Sequence, residues 1–187
     1  MAENWSEQER RTNRLVPSIA ASLFKQEAVT AHQIFGLIKL TWITSSHVNE
    51  GKYIETVKIP ALAKIFKTDF SKVPISRVAR EVASIVGDPK VVLLVMNETG
   101  ITNIYNPYRN TSEAWTHSHF REVLALVKSA FDLKNDAQGR ALANRIDRLP
   151  SIQKPNQKSG ALHPANLLTP VMFALDKRIR FPILNGR

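Results

Sequence analysis

The sequence predicts a mainly α-helical protein with a small β-hairpin or three-stranded sheet, an α+β class. Three observations carry that expectation. Apolar residues recur at spacings of three and four along most of the 187 residues. Short runs rich in β-branched and aromatic residues interrupt them, and Gly, Pro and capping residues mark the boundaries. With 43% hydrophobic residues the chain can bury a real core as one domain, or as one domain with a small annex.

Residues 5–14 are polar and helix-tolerant, and Pro17 suits the first turn of a second helix carrying Ile19, Leu23 and Phe24 inward. Thr30 followed three residues later by Gln33 is a capping box, and Ile34, Phe35, Leu37, Ile38 and Trp42 extend it as a helix over about 31–45. After the polar break at 45–51, the alternating Tyr53-Ile54-Glu55-Thr56-Val57-Lys58-Ile59 reads as a short strand closed by Pro60. A short helix then places Leu62, Ile65 and Phe66 on one side and Lys64 and Lys67 on the other. Pro74 opens the next, over 73–86, in which Ile75, Val78, Val82, Ile85 and Val86 face inward and Gly87-Asp88-Pro89 ends the run.

Lys90 to Met96 and Ile101 to Tyr105, joined by Asn97-Glu98-Thr99-Gly100, read as a hairpin. The remainder is helical. Asn110 with Glu113 caps a long amphipathic helix, about 111–133, with Trp115, Phe120, Val123, Leu124, Val127 and Phe131 on one face. A helix over 136–148 turns Leu142 and Ile146 inward and Arg140, Arg145 and Arg148 outward. Residues 150–163, rich in Ser, Lys, Pro, Asn and Gln, read as a flexible linker. A last helix starts near Pro164, with Thr169-Pro170 as either a kink or a fresh N-cap, and the basic tail looks extended.

Twenty-six Lys and Arg against 16 Asp and Glu leave a net charge of +10, and there is no cysteine. That absence excludes disulfide frameworks, thiolate nucleophiles, zinc fingers and iron-sulfur sites. The longest apolar run is Val91 to Met96. Charged residues from Glu3 to Arg11 stand where a signal peptide would need an apolar stretch, so no membrane partner and a cytoplasmic location are expected, or the nucleoid or nucleus if the protein is DNA-bound. The positive excess is unevenly distributed. Residues 1–50 and 111–135 are each balanced, whereas residues 51–110 carry net +4 and residues 136–187 net +6. Two basic blocks favour a polyanionic partner over mere solubility.

From 31 to 106 the elements run helix, short strand, helix, turn, helix, strand, turn, strand. That order resembles the winged helix-turn-helix fold over about 75 residues, in topology and not in a sequence motif. The resemblance implies a winged-helix-like core at 30–110 between N-terminal helices (1–29) and a helical extension (111–149), followed by the linker (150–163) and a basic C-terminal helix and tail (164–187). It also implies that helix 73–86 enters the major groove while the hairpin lies along the backbone. Arg77 and Arg80 suit guanine or phosphate, Ser76 and Ser84 suit a phosphate or base edge, and Lys64, Lys67, Ser71 and Lys72 suit phosphates beside the turn. Two departures matter. The turn from Thr68 to Val73 exceeds the three or four residues of a tight helix-turn-helix, and Glu98 at the wing tip would be repelled by a minor groove. Wing contacts are therefore expected at the base, from Lys90, Arg109 or Tyr108. Arg140, Arg145, Arg148, Lys154, Lys158, Lys177, Arg178 and Arg180 would add phosphate contacts.

No catalytic residues, cofactor or metal ligands are expected. His117 and His119 are the only close histidine pair and point apart on a helix. Asp88 and Glu98 resemble a metal-nuclease spacing, but Gly100 stands where its lysine is required. No Gly-rich phosphate loop is present. The expected function is thus non-enzymatic binding of duplex DNA, in regulation, replication or defence, with a homodimer through 111–133 open. An RNA-binding or ribonucleoprotein component is the alternative on the same charge, and an enzyme whose site the sequence does not reveal is a further one.

Overall fold

Helix α2 (Ala31–Ser46) is the centre of the computed structural model, which describes residues 2–46, 51–68, 73–89, 91–92, 107–153 and 160–176. Every residue from 31 to 41 is buried, polar His32, Gln33 and Lys39 among them. A helix buried on all sides must sit between others. It packs against α1 (Ala2–Phe24), α3 (residues 51–66), α5 (Pro107–Ser118), α6 (Phe120–Phe131) and α8 (Pro164–Leu175). Between these, α4 (Ile75–Val86) packs on α3, and α7 (Asp136–Asp147) packs on α6 and α8. One apolar cluster runs through them from Val16 to Ala174.

The capping box forms as expected. Thr30 N–H donates to Gln33 Oε1 at 2.9 Å, and Gln33 N–H donates to Thr30 Oγ1 at 3.3 Å. Thr30→Ala is expected to lower stability by about 1 kcal/mol, seen as a lower denaturation midpoint at unchanged m value.

Several expectations are corrected. Pro17 does not start a new helix but lies inside α1. An interior proline costs about 3 kcal/mol, and what offsets it is tertiary: Val16, Ala20 and Leu23 are buried, and Thr12 Oγ1 donates to Thr44 Oγ1 across the α1–α2 contact at 2.9 Å. The segment Tyr53–Ile59 is helical, not a strand. Gly51–Tyr53 forms a first turn, Ile54–Lys58 is π-helical and Ile59–Phe66 is α-helical, with Pro60 in its first turn. Alternation and β-propensity are weak signals. Here they lose to the helical spacing of buried Ile59, Leu62, Ile65 and Phe66, to an Arg14–Glu55 ion pair at 2.7 Å and to Thr56 Oγ1 donating to Lys52 O at 2.7 Å.

The expected helix 111–133 is two helices, starting earlier at Pro107, a first-position proline, and broken at His119. At the break the His119 N–H donates to Trp115 O at 3.0 Å while its ring stacks on the indole, centroids 4.8 Å apart. With residues 53–59 helical, a three-stranded sheet built on them is lost. Val91 and Val92, at the start of the expected hairpin, are also helical, and the rest of it (93–106) lies outside the described residues.

The sheet that does occur among the described residues has two strands at the ends of the expected linker. β1 (Ile152–Gln153) pairs antiparallel with β2 (Ala161–Leu162), Ile152 opposite Leu162, and Ile152 is buried. Trp115 Nε1 donates to Pro150 O at 2.9 Å just before it. In α8 the helix runs on through Pro170, with Leu167, Leu168, Val171 and Met172 fully buried. The molecule is thus mainly helical with a small antiparallel sheet. No helix among the described residues is long and apolar enough to cross a membrane.

Candidate nucleic-acid interface

Helix α4 follows the sequence reading closely. Pro74, extended at φ −55° and ψ 136°, precedes it, and Gly87 at φ 76° ends it in the left-handed region that favours glycine. Val78 and Val82 are buried, so the opposite face must point outward: Ser76, Arg77, Arg80, Glu81 and Ser84 are all exposed. Among the described residues no ion pair joins Arg77 or Arg80 to Glu81, although Arg77 and Glu81 stand four apart. Helix α3, packed against α4, adds exposed Lys64 and Lys67 in its last turn and at its C-cap. A positive charge at a helix C-terminus is also favoured by the macrodipole, so these lysines have a local reason to be there as well.

The rest of the first basic block is less uniform than its sequence. Lys58 is buried, its Nζ 5.9 Å from the Tyr53 ring centroid, and so cannot serve a surface. Ser71, Lys72, Lys90, Lys154, Lys158, Lys177, Arg178 and Arg180, and the side chain of Arg109, lie outside the described residues.

On α7 the expected orientation holds, with Leu142 and Ile146 buried and Arg140, Arg145 and Arg148 exposed. Arg145 and Arg148 line an open groove of about 430 Å³ between α6 and α7 with Arg121, Glu122, Ala125, Leu126, Leu149 and Pro150. Arg145 Nη1 donates to Ser129 Oγ at 3.5 Å. The two basic faces belong to different helix pairs, α3–α4 and α6–α7.

No family model, curated protein or solved structure matches the chain.

The histidines of the described residues contact neighbouring groups. His32 Nδ1 and His117 Nε2 approach the same Glu113 Oε1, at 3.5 and 3.9 Å, and His163 Nδ1 accepts from the Ala165 N–H at 3.3 Å as the α8 cap. His47 lies outside the described residues. Among the described residues no group of three or more His, Asp or Glu side chains could hold a metal ion. Sequence reasoning missed Arg121, because its helix lies in a charge-balanced stretch with Glu122 beside it. Its signal was the solvent-facing side of the amphipathic helix, opposite Val123 and Val127.

Proposed function

We propose that the protein binds duplex DNA without catalysing a reaction, reading the duplex with helix α4 and holding its backbone with the basic C-terminal block. The observation that carries this reading is the outward face of α4: two arginines free of ion pairs among the described residues, flanked by Ser76 and Ser84, with Lys64 and Lys67 on the helix packed beside it. Arginine's planar fork can meet guanine or phosphate bidentately, and hydroxyls and lysines supply phosphate contacts around it. The reading rests on the helix pair and not on a wing. Regulation, replication and defence would each be served by this chemistry.

A homodimer through 111–133 has little apolar surface left to use. Trp115, Val123 and Val127 are buried in the protein's own core, and Phe131, 40% exposed, is the one large apolar side chain exposed on α5 or α6 among the described residues.

The test is a titration of duplex DNA, structured RNA and single strands by fluorescence anisotropy over a range of salt. Duplex preference with a steep linear fall of log K against log salt is expected. Equal or tighter binding to RNA would overturn the assignment in favour of a ribonucleoprotein role. In the same assay Arg80→Ala is expected to alter sequence preference, whereas Lys154→Ala should weaken all sequences alike. If neither changes binding, α4 is not the reading helix.

A further inference from the structure

The groove between α6 and α7 brings together three guanidiniums from two helices, only two of which belong to the basic block evident in the sequence. Arg121, Arg145 and Arg148 are exposed, and none is ion-paired among the described residues. One carboxylate, Glu122, shares the groove. Asp147, one residue from Arg148, is exposed and does not line the groove.

The walls are fixed. Leu126, Leu142 and Ile146 are buried where the two helices meet the core. The turn joining the helices is locked by a reciprocal cap, with Gln138 N–H donating to Asn135 Oδ1 at 3.0 Å and Lys134 N–H donating to Gln138 Oε1 at 2.7 Å. The indole of Trp115 holds the Pro150 carbonyl at the rim. Cationic side chains on fixed helices, making no ion pair among the described residues, lose little on binding an anion, and a guanidinium fork suits phosphate oxygens. The open shape suits a strand passing across it.

We propose that this groove is a phosphate-binding site for a nucleic-acid backbone, with Arg121, Arg145 and Arg148 as its ligands and Glu122 weakening it. The choice of ligand rests on the DNA-binding reading above, but the site shares no residue with α4. It contacts phosphodiesters and reads no bases, so it adds affinity and salt dependence without sequence preference.

The test compares wild type with Arg121→Ala, Arg148→Ala, the double variant and Glu122→Gln in the duplex titration, with thermal unfolding as the check on folding. Each arginine variant is expected to bind all duplex sequences roughly 5-fold more weakly, with the salt slope shallower by about 1. Glu122→Gln is expected to tighten binding about 2-fold. If wild type binds duplex and these variants match it in affinity and slope, the groove is not a backbone site while the α4 reading stands.

Direct observation of the arginine side-chain N–H signals by NMR separates the remaining cases. Shifts of Arg121, Arg145 and Arg148 on adding an oligonucleotide, with none on adding inorganic phosphate at equal phosphate concentration, support a backbone site. Equal shifts with both mean that the groove takes free phosphate and overturn the strand assignment. No shift with either overturns the site itself. Failure of wild type to bind duplex, together with oligonucleotide shifts confined to this groove, would remove the α4 reading and leave this one.

Discussion

Gly36→Ala is expected to destabilise the protein by about 2 kcal/mol, although alanine is the better helix former. Gly36 sits mid-helix in α2, where a Cβ would overlap the ring of Phe66, coming within 2.5 Å of Cε1. The ring has no room to retreat. Phe66 is 2% exposed in α3, and the His32 imidazole stands edge-on to it at 6.5 Å. Overpacking of this kind costs about 1–3 kcal/mol, with a rigid ring at the upper end, and the intrinsic preference for Ala over Gly returns about 1 kcal/mol. For a chain of this size the net loss lowers Tm by about 4–8 °C.

A built-in control has the opposite sign. Gly139, in α7, would find nothing within 4 Å of an added Cβ, so Gly139→Ala is expected to stabilise by about 0.5–1 kcal/mol. Combining Gly36→Ala with Phe66→Leu should restore part of the loss, because the two changes meet at one contact and cannot add independently. Equal melting shifts for the two glycine variants would show that α2 and α3 do not approach as closely as described.

That contact also shows where sequence reasoning reached and where it stopped. Elements whose cues are local and mutually consistent were legible: the Thr30–Gln33 box that starts α2, the Val78–Val82 spacing and Gly87 stop of α4, and the inward Leu142 and Ile146 of α7. Where local cues opposed tertiary contact, they failed. Residues 53–59 alternate like a strand, yet they are helical and run into a helix that buries Ile59, Leu62, Ile65 and Phe66 at helical spacing. Pro17 marks a boundary by every local rule, and the packing of Val16 and Ala20 overrides it.

The candidate interface was legible to the extent that it lies on one helix. The α4 face follows from periodicity. The α6–α7 groove does not, because Arg121 and Arg145 are distant in sequence and meet only when two helices pack, and a charge count along the chain assigns Arg121 to a neutral stretch. Lys58 is the converse case, a basic residue that a count assigns to the surface and the fold takes inside.

Replacing both arginines of the α4 face is expected to have the largest effect on binding. Arg77→Ala with Arg80→Ala should weaken duplex binding by about 2–4 kcal/mol, roughly 30- to 700-fold, since a good arginine–base or arginine–phosphate contact contributes about 1–3 kcal/mol. Both side chains are exposed and lie opposite the buried Val78 and Val82, so the melting temperature should stay close to wild type and the loss cannot be assigned to unfolding.

Lysine replacements at the two positions divide the effect further. They keep the charge and lose the planar fork, so long-range attraction and salt slope should persist while discrimination among sequences falls. Glu81→Gln removes the only carboxylate on the same face of α4 and should tighten binding of every duplex modestly, most at low salt. If the double alanine variant retains wild-type affinity and sequence preference while the Arg121 and Arg148 variants lose affinity, the duplex is held by the α6–α7 groove and α4 faces solvent.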